Sequence, residues 1–285
     1  MSSLTREAFL KTWGRGRLLT KIDVSHEPVF LLAAVSGGRD SVLLLEALSD
    51  LVEQDMLAEG SELVICHVHH GIREQASRDA AFVQDLAERK GLRFILQMGS
   101  APALAQKGKR GLEAAARQLR YAAFVSCLED EGFQPLNGDS SVRNLYRSAW
   151  QDDMGRRAYV LLAHHGGDQA ESILLNIQRG SGLSGLTGMQ EKQGCLRRPW
   201  LELATEQVDH YCRMMNLQHI EDLSNQDRSY TRNRIRLDLL PLWVELAGHS
   251  MEQKLLELSR RIRRDEAYWP AQTRRNGQAN FAAAV

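Results

Sequence analysis

VFLLAAVSGGRDSVLLLEALSDL, residues 29–51, is apolar without a break to Val35, turns over Ser36–Ser41, and then repeats apolar residues at helical spacing to Leu51. A short continuous apolar run reads as a strand buried on both faces. The sequence therefore predicts strand, glycine turn, helix. The same alternation continues downstream: an apolar run over 61–70, a helical pattern over 77–91 closed by Gly91, and a second apolar run over 92–98. A helix over 111–128, a strand over 158–165 and a helix over 168–179 extend it. Strands separated by helices call for an α/β fold, a parallel sheet with helices on both faces.

The chain has 285 residues, and 43% of them are hydrophobic and 25% charged. That composition belongs to a folded chain and is long enough for one large domain and a smaller one. Formal net charge is +0, so any affinity for a polyanion must come from a local basic face. The stretch MSSLTREAFLKTW carries no apolar core of a signal peptide, and no run approaches the roughly 18 apolar residues of a membrane span; a cytoplasmic address is expected. Cys66, Cys127, Cys195 and Cys212 lie far apart with no CxxC pair, which disfavours a disulfide framework and a zinc or iron–sulfur site.

Residues 129–157 are long for a helix-to-strand connection and read as an inserted loop. Beyond Trp200 the sequence predicts a helix near Ala204–Met215, a polar corner at 221–236, and helices over Tyr230–Ala247 and Ser250–Tyr268. The last dozen residues are expected to fray. The plan is a domain over 1–220 followed by a small helical unit over 221–285.

A glycine turn between a strand and a helix N-terminus presents unpaired backbone N–H groups and the positive end of the helix dipole, so phosphate is its expected guest. The turn lacks the lysine of a Walker loop. A G-x-G-x-x-G pattern does occur at Gly180, Gly182 and Gly185, but it follows a helix, which excludes a dinucleotide fingerprint. The plain alternative for the opening turn is that Asp40 and Ser41 only cap the helix.

SGGRDS, Ser36–Ser41, resembles the S-G-G-x-D-S signature of the N-type ATP pyrophosphatases, the PP-loop superfamily. HVHHGIR (67–73), LEAAARQLRY (112–121), HHGGDQAES (164–172), RGSGLSGLTGM (179–189), RRPWLE (197–202) and EDLSNQDRSYTRNRIRLDLLP (221–241) follow in the order seen in the tRNA(Ile)-lysidine synthetase family. The resemblance runs from about Phe30 to Pro241. It implies an ATP-dependent ligase that adenylates carbon-2 of the wobble cytidine of a CAU-anticodon tRNA(Ile) and joins free L-lysine to it, forming lysidine. It also implies that residues 1–220 are the catalytic domain and 221–285 a tRNA-binding one, with a homodimer possible.

The resemblance places ATP on Ser36, Gly37, Gly38, Arg39, Asp40, Ser41 and His69. A carboxylate beside polyphosphate needs a cation, so Asp40 implies Mg²⁺, with Asp168 as a second ligand. Asp40, Asp168, Glu171 and Arg117 are the expected catalytic groups, Asp168 and Glu171 by orienting the lysine amine and taking up its proton. The plain alternative for Asp168 and Glu171 is a helix cap. Gly167 stands where the family carries a first aspartate and Ser172 where it carries threonine. Glu113, Arg117 and Arg120 share a helix face, which on its own reads as an exposed ion-paired surface. Substrate or tRNA contact is expected at Glu113, Arg232, Asn233, Arg234 and Arg236, and Arg260, Arg261, Arg263 and Arg264 add positive charge for RNA phosphate. His69, His70, His164 and His165 end two strands; they lack metal-ligand spacing and are expected to hydrogen-bond nucleotide or turn backbone. Two other readings stay open: a sulfur-inserting tRNA enzyme, disfavoured by the absent CxxC, and an inactive tRNA-binding relative.

Overall fold

The computed structural model describes residues 7, 9–11, 16–22, 27–71, 76–109 and 111–282. Most of the N-terminal stretch searched for a leader, Ile72 and Arg73 of HVHHGIR, and residues 283–285 lie outside them. Among the described residues no helix is long and apolar enough to cross a membrane.

Among the described residues eight strands form one sheet: β1 (Val29–Ala34), β2 (Glu62–His69), β3 (Arg93–Met98), β4 (Gln134–Pro135), β5 (Trp150–Gln151), β6 (Arg157–Leu161), β7 (Lys192–Gln193) and β8 (Leu196–Arg197). The main order is β3-β2-β1-β6-β5-β4, with β8 also beside β6. β1 is central and parallel to both neighbours, Leu32 facing Val64 on one side and Val160 on the other. Helices α1 (Gly16–Ile22), α2 (Arg39–Glu53), α3 (Ala76–Arg89), α4 (Ala101–Gly108) and α5 (Leu112–Asp130) belong to the sheet's first half. Alternation along β1 explains its unbroken apolar text. Val29, Leu31 and Ala33 enter a core with Leu44, Leu48 and Val83, whereas Phe30 and Leu32 enter a second with Phe124, Leu128 and Trp150. A strand covered on both faces has no polar position to offer.

The order also locates the turn. After β3 the chain returns to the far side of β1, so the strands on either side of β1 leave in opposite directions around the sheet. Ligands of open α/β sheets bind outside the carboxyl ends of strands at such a switch.

The 129–157 stretch, expected as a loop, contributes β4, β5 and a 3₁₀ turn over Val142–Leu145. Phe133, Leu145 and Trp150 are fully buried, and their burial converts a connection into an antiparallel sheet extension. Among the elements that went unforeseen are α1, α4, which at eight residues is too short to show helical periodicity, and the β7–β8 hairpin, whose paired segments are two residues each.

Contacts divide the chain into two compact units, Met1–His165 with Glu191–Asp222, and Gly166–Gln190 with Leu223–Val285. The helix after β6 thus groups with the C-terminal helices, where the sequence reading drew one boundary at 220/221. The first unit ends in α8 (Thr205–Met214), after the second has contributed α6 (Gly166–Gln178) and α7 (Leu183–Leu186). The second continues with α9 (Thr231–Arg234), a π turn (Ile235–Leu239), α10 (Leu240–Ala247) and α11 (Met251–Ala282). Pro241 sits just inside α10 and lacks the N–H that a regular ladder would use, so the backbone widens before it. The tail expected to fray continues α11 as helix to Ala282.

A buried amide organises the second unit. Gln169, 1% exposed, donates from Nε2 to the Thr187 and Met189 carbonyls at 3.0 Å each and accepts from the Met189 amide at 2.7 Å. Gly188 has φ +61, and a Cβ there would lie 2.6 Å from Gln169 Oε1. The glycine-rich GLTGM text is therefore a wrap around Gln169. Ala170, Ile173 and Leu255 form the small apolar core beside it.

Candidate functional site

In the first unit, Ser36–Ser41 leaves the carboxyl end of β1 and enters α2. Gly37 has φ +87, a backbone conformation that favours glycine, and its Cβ position lies 2.6 Å from Ile220 Cδ1. Its carbonyl accepts the Ile220 amide at 2.9 Å. Gly37 is buried under Ile220, while Gly38 is half-buried, and a Cβ there would meet only Ser36 Oγ at 3.4 Å. The open side of the turn is thus the Gly38 side. Val42 donates the first intrahelical bond, to the Gly38 carbonyl at 3.1 Å. The amides of Arg39, Asp40 and Ser41 precede that ladder and face the helix N-terminus. Ser41 Oγ donates to the Gly38 carbonyl at 2.8 Å and lies 3.2 Å from Ser36 Oγ, which accepts the Gly38 amide at 3.3 Å. The N-cap position is Gly38, which has no side chain to cap with, and Asp40 lies in the first turn of α2.

Asp40 meets Arg39 Nε at 3.0 Å and His165 Nε2 at 3.6 Å. Arg39 also pairs with Asp209 on α8, and His165 Nδ1 lies 3.5 Å from Thr205 Oγ1. Asp209 and Thr205 were not legible as partners of the turn, because α8 follows it by some 165 residues of chain. His69 Nδ1 accepts the Gly71 amide at 3.2 Å, a turn-backbone contact. His67 Nδ1–H donates to the Val35 carbonyl at 2.8 Å, and burial holds its pKa below the ordinary 6.5. Burial pushes the thiols of Cys195 and Cys212 up to about 12, so both stay protonated and inert. Among the described residues no three His, Cys, Asp or Glu side chains converge as a metal ligand set.

On α5, Arg117 donates to Tyr146 Oη at 3.2 Å and stacks 4.8 Å from the Tyr121 ring centre. Glu113 is exposed on the same helix. Arg198, 1% exposed, adds a second guanidinium beside this tyrosine pair, and burial lowers its pKa. Tyr146 comes from the 129–157 segment, so that segment completes the Arg117 surroundings.

In the second unit, Asp168 and Glu171 occupy the first turns of α6, and Arg232 and Arg236 come from α9 and the π turn. Arg232 Nε and Arg236 Nε donate to the two oxygens of Glu171 at 2.5 Å each. Arg232 Nη2 and Arg236 Nη2 donate to Asp168 Oδ1 at 2.9 and 3.3 Å. Glu171 is 1% exposed and Asp168 13%. The four charges cancel in one compact group, and charge-assisted pairs of this kind are the strong ones. Arg234, two residues away on the other helix face, is exposed, and Asn233 Nδ2 donates to the Asp227 carbonyl at 2.9 Å. Arg263 donates to the Thr187 and Met189 carbonyls, and Arg261 pairs with Glu257. Those two late arginines belong to the unit's own packing.

The model of the PP-loop domain matches residues 16–137 and 145–243. The tRNA(Ile)-lysidine synthase of Bacillus licheniformis is 31% identical over 90% of this chain and 48% of its own length. That of Thermus thermophilus is 36% identical over 75% of this chain and 36% of its own. The chain spans about half the length of the curated relatives it matches most extensively. Among solved structures, the U34-tRNA thiolase NcsA of Methanococcus maripaludis superposes with a TM-score of 0.64 at 16% identity, over 90% of this chain and 80% of that one. This last likeness is one of fold.

Proposed function

Because the chain belongs to the PP-loop domain family, whose members use ATP, we propose that it carries out the lysidine-forming reaction on tRNA(Ile) with a CAU anticodon. The observation that carries this reading is the Ser36–Ser41 turn. It has an open Gly38 side, the first-turn amides of α2, and the hydroxyls of Ser36 and Ser41 3.2 Å apart. The names of the relatives supply the substrate.

In this reading the carbon-2 oxygen of the wobble cytidine attacks the α-phosphorus of ATP, and pyrophosphate leaves. The ε-amine of lysine then forms a bond to carbon-2, the carbon–oxygen bond to AMP breaks, and the amine gives up a proton. The turn amides and Ser36, Ser41 and His69 hold phosphate, and Arg117 neutralises phosphate charge as it develops. Asp40, 35% exposed on its side chain, would hold a Mg²⁺ beside the ATP phosphates. Such an ion supplies charge neutralisation of the leaving pyrophosphate. Asp168 already faces two guanidinium groups, so its role is assigned to the amine together with Glu171. Exposed Arg234 and Glu113 and half-buried Asn233 are assigned to tRNA contact, phosphate giving affinity and unstacked anticodon bases identity. A cytoplasmic address and a possible homodimer complete the proposal.

The test is incubation with ATP, labelled L-lysine and tRNA bearing CAU, followed by nucleoside analysis. Lysidine is expected; incorporation of sulfur, or no modified cytidine, would reject the reading. The sulfur-inserting alternative finds no support in the four cysteines, all buried and free.

A further inference from the structure

The segment between α5 and β6 carries a surface that the reaction described above leaves unused. Resting on the reading of tRNA as substrate, we propose that Arg143 and Arg147 hold the phosphodiester backbone of the tRNA. They stand on a platform joined to Arg117 within the first unit.

The platform is an addition to the common domain. Residues 138–144 fall between the two segments that match the PP-loop domain, yet they are firmly framed. Asn144, 3% exposed, accepts from Asn137 Nδ2 at 2.9 Å and donates to the Asp139 carbonyl. Its own carbonyl accepts from Trp150 Nε1 at 3.4 Å. Leu145 is buried, and its carbonyl accepts the Cys195 amide at 3.1 Å. Gly194, with φ +57, lets the β7–β8 turn pass directly against this backbone, where a Cβ would collide with the Leu145 carbonyl and the Arg147 amide. Buried amide, buried leucine and glycine together fix the turn.

What the turn holds out is positive. Arg143 and Arg147 are both exposed, four residues apart on a turn whose inner positions are Asn144, Leu145 and Ser148. Asp139 is the one carboxylate of residues 138–149, and it accepts from the Ser141 amide at 2.9 Å and the Ser141 hydroxyl at 3.2 Å. Arg156 shows the other fate of an arginine in this segment, turned to Asp152 at 3.1 Å and over the Phe133 ring. Tyr146 ties the platform to the reaction site, since its hydroxyl accepts from Arg117 and its ring packs 5.1 Å from that of Tyr121.

Phosphate is the ligand that suits such a surface. Formal net charge is +0, so attraction to a polyanion has to come from a local group of this kind. A guanidinium matches two phosphate oxygens with parallel N–H bonds, and an already ordered turn adds little ordering cost to binding. Contacts to phosphate give affinity and position without reading sequence.

The test is binding of labelled tRNA to the full chain over a salt series, read by fluorescence anisotropy. Wild type is compared with the double variants Arg143→Gln/Arg147→Gln and Arg143→Lys/Arg147→Lys, and with Arg89→Gln on α3. Each lost phosphate contact lowers the slope of log affinity against log salt by about 0.7–0.9. The double Gln variant is therefore expected to lose about 1.5 in slope and to bind at least about tenfold more weakly at about 0.05 M salt. The double Lys variant should keep most of the slope, because a point charge suffices to release counterions. tRNAs with and without the CAU anticodon should lose affinity alike, while the KM values for ATP and L-lysine and the urea midpoint stay at wild-type values. Arg89→Gln should bind as wild type does.

Wild-type slope and affinity in the double Gln variant would overturn the proposal. A loss that the Lys pair does not restore, or one that comes with a lower urea midpoint, would overturn it as well, marking a packing role. A loss confined to tRNA bearing CAU would do the same, marking base readout, and so would a wild type with no measurable affinity for tRNA. Wild type that binds tRNA with these salt effects yet forms no lysidine would instead reject the ligation reading and leave this one standing.

Discussion

Replacing Gly37 by alanine puts a Cβ where the backbone and a neighbour both exclude it. At φ +87 an L-residue bears about 1–2 kcal/mol of backbone strain. The new atom would also lie 2.6 Å from Ile220 Cδ1, the end of a flexible, half-buried side chain that can turn aside, so overpacking adds about 1 kcal/mol, the low end of its range. The sum is a loss of about 2–3 kcal/mol. The two contributions separate experimentally, because Ile220→Val deletes the one carbon that clashes. Alone it should cost about 0.5–1.5 kcal/mol; combined with Gly37→Ala it should remove the steric share and leave the backbone share. Urea denaturation of the four proteins, analysed as a double-mutant cycle, reads this directly. Gly38→Ala is the contrast. With φ −70 and ψ 157, its backbone suits any residue, so stability should change by less than about 1 kcal/mol while the methyl group narrows the open side and weakens ATP use. A Gly37→Ala protein within about 0.5 kcal/mol of wild type, or a penalty untouched by Ile220→Val, would refute the packing argument.

Asp40→Asn should slow ATP/pyrophosphate exchange at least about a hundredfold, the scale of one lost electrostatic contact; an unchanged exchange rate would remove Asp40 from the nucleotide site. Glu171→Gln leaves two arginines facing a neutral amide and should cost about 2–3 kcal/mol in denaturant titrations. That lies below the range for a fully buried pair because the guanidinium side chains are 27% and 36% exposed. His67 carries a pH signature: its folded pKa lies below 6.5, so below that pH the unfolded chain takes up the proton more readily. Its stability contribution is therefore complete above 6.5 and is lost as pH falls toward the folded value. Urea midpoints of wild type should drop between about pH 7.5 and pH 5, and less steeply in His67→Gln.

The order of residues alone specified β1, the glycine turn and α2, because burial on both faces removes polar positions from a strand and helical spacing returns immediately after it. β2, β3, α3, α5 and α6 were readable for the same reason. Position within the sheet was not, nor was the grouping of α6 with the C-terminal helices, since packing partners are chosen across sequence distances that periodicity does not span. Phe133, Leu145 and Trp150 look like scattered apolar residues of a loop until an exposed sheet edge beside β6 gives them somewhere to be buried.

The functional groups divide in the same way. Local chemistry exposed Ser36–Ser41, and the spacing of Asp168 and Glu171 put two carboxylates at one helix start. Folding decided which charges meet. Arg232 and Arg236, basic text that suggests RNA phosphate, turn to Glu171, while Arg234 between them turns to solvent. Four residues of helical or π spacing put the first pair on one side and leave the middle one on the other, but only a carboxylate waiting on α6 makes that side the buried one. Gln169 and Gly188 make the same point in neutral groups, since a buried amide can be satisfied only by backbone that comes back to meet it.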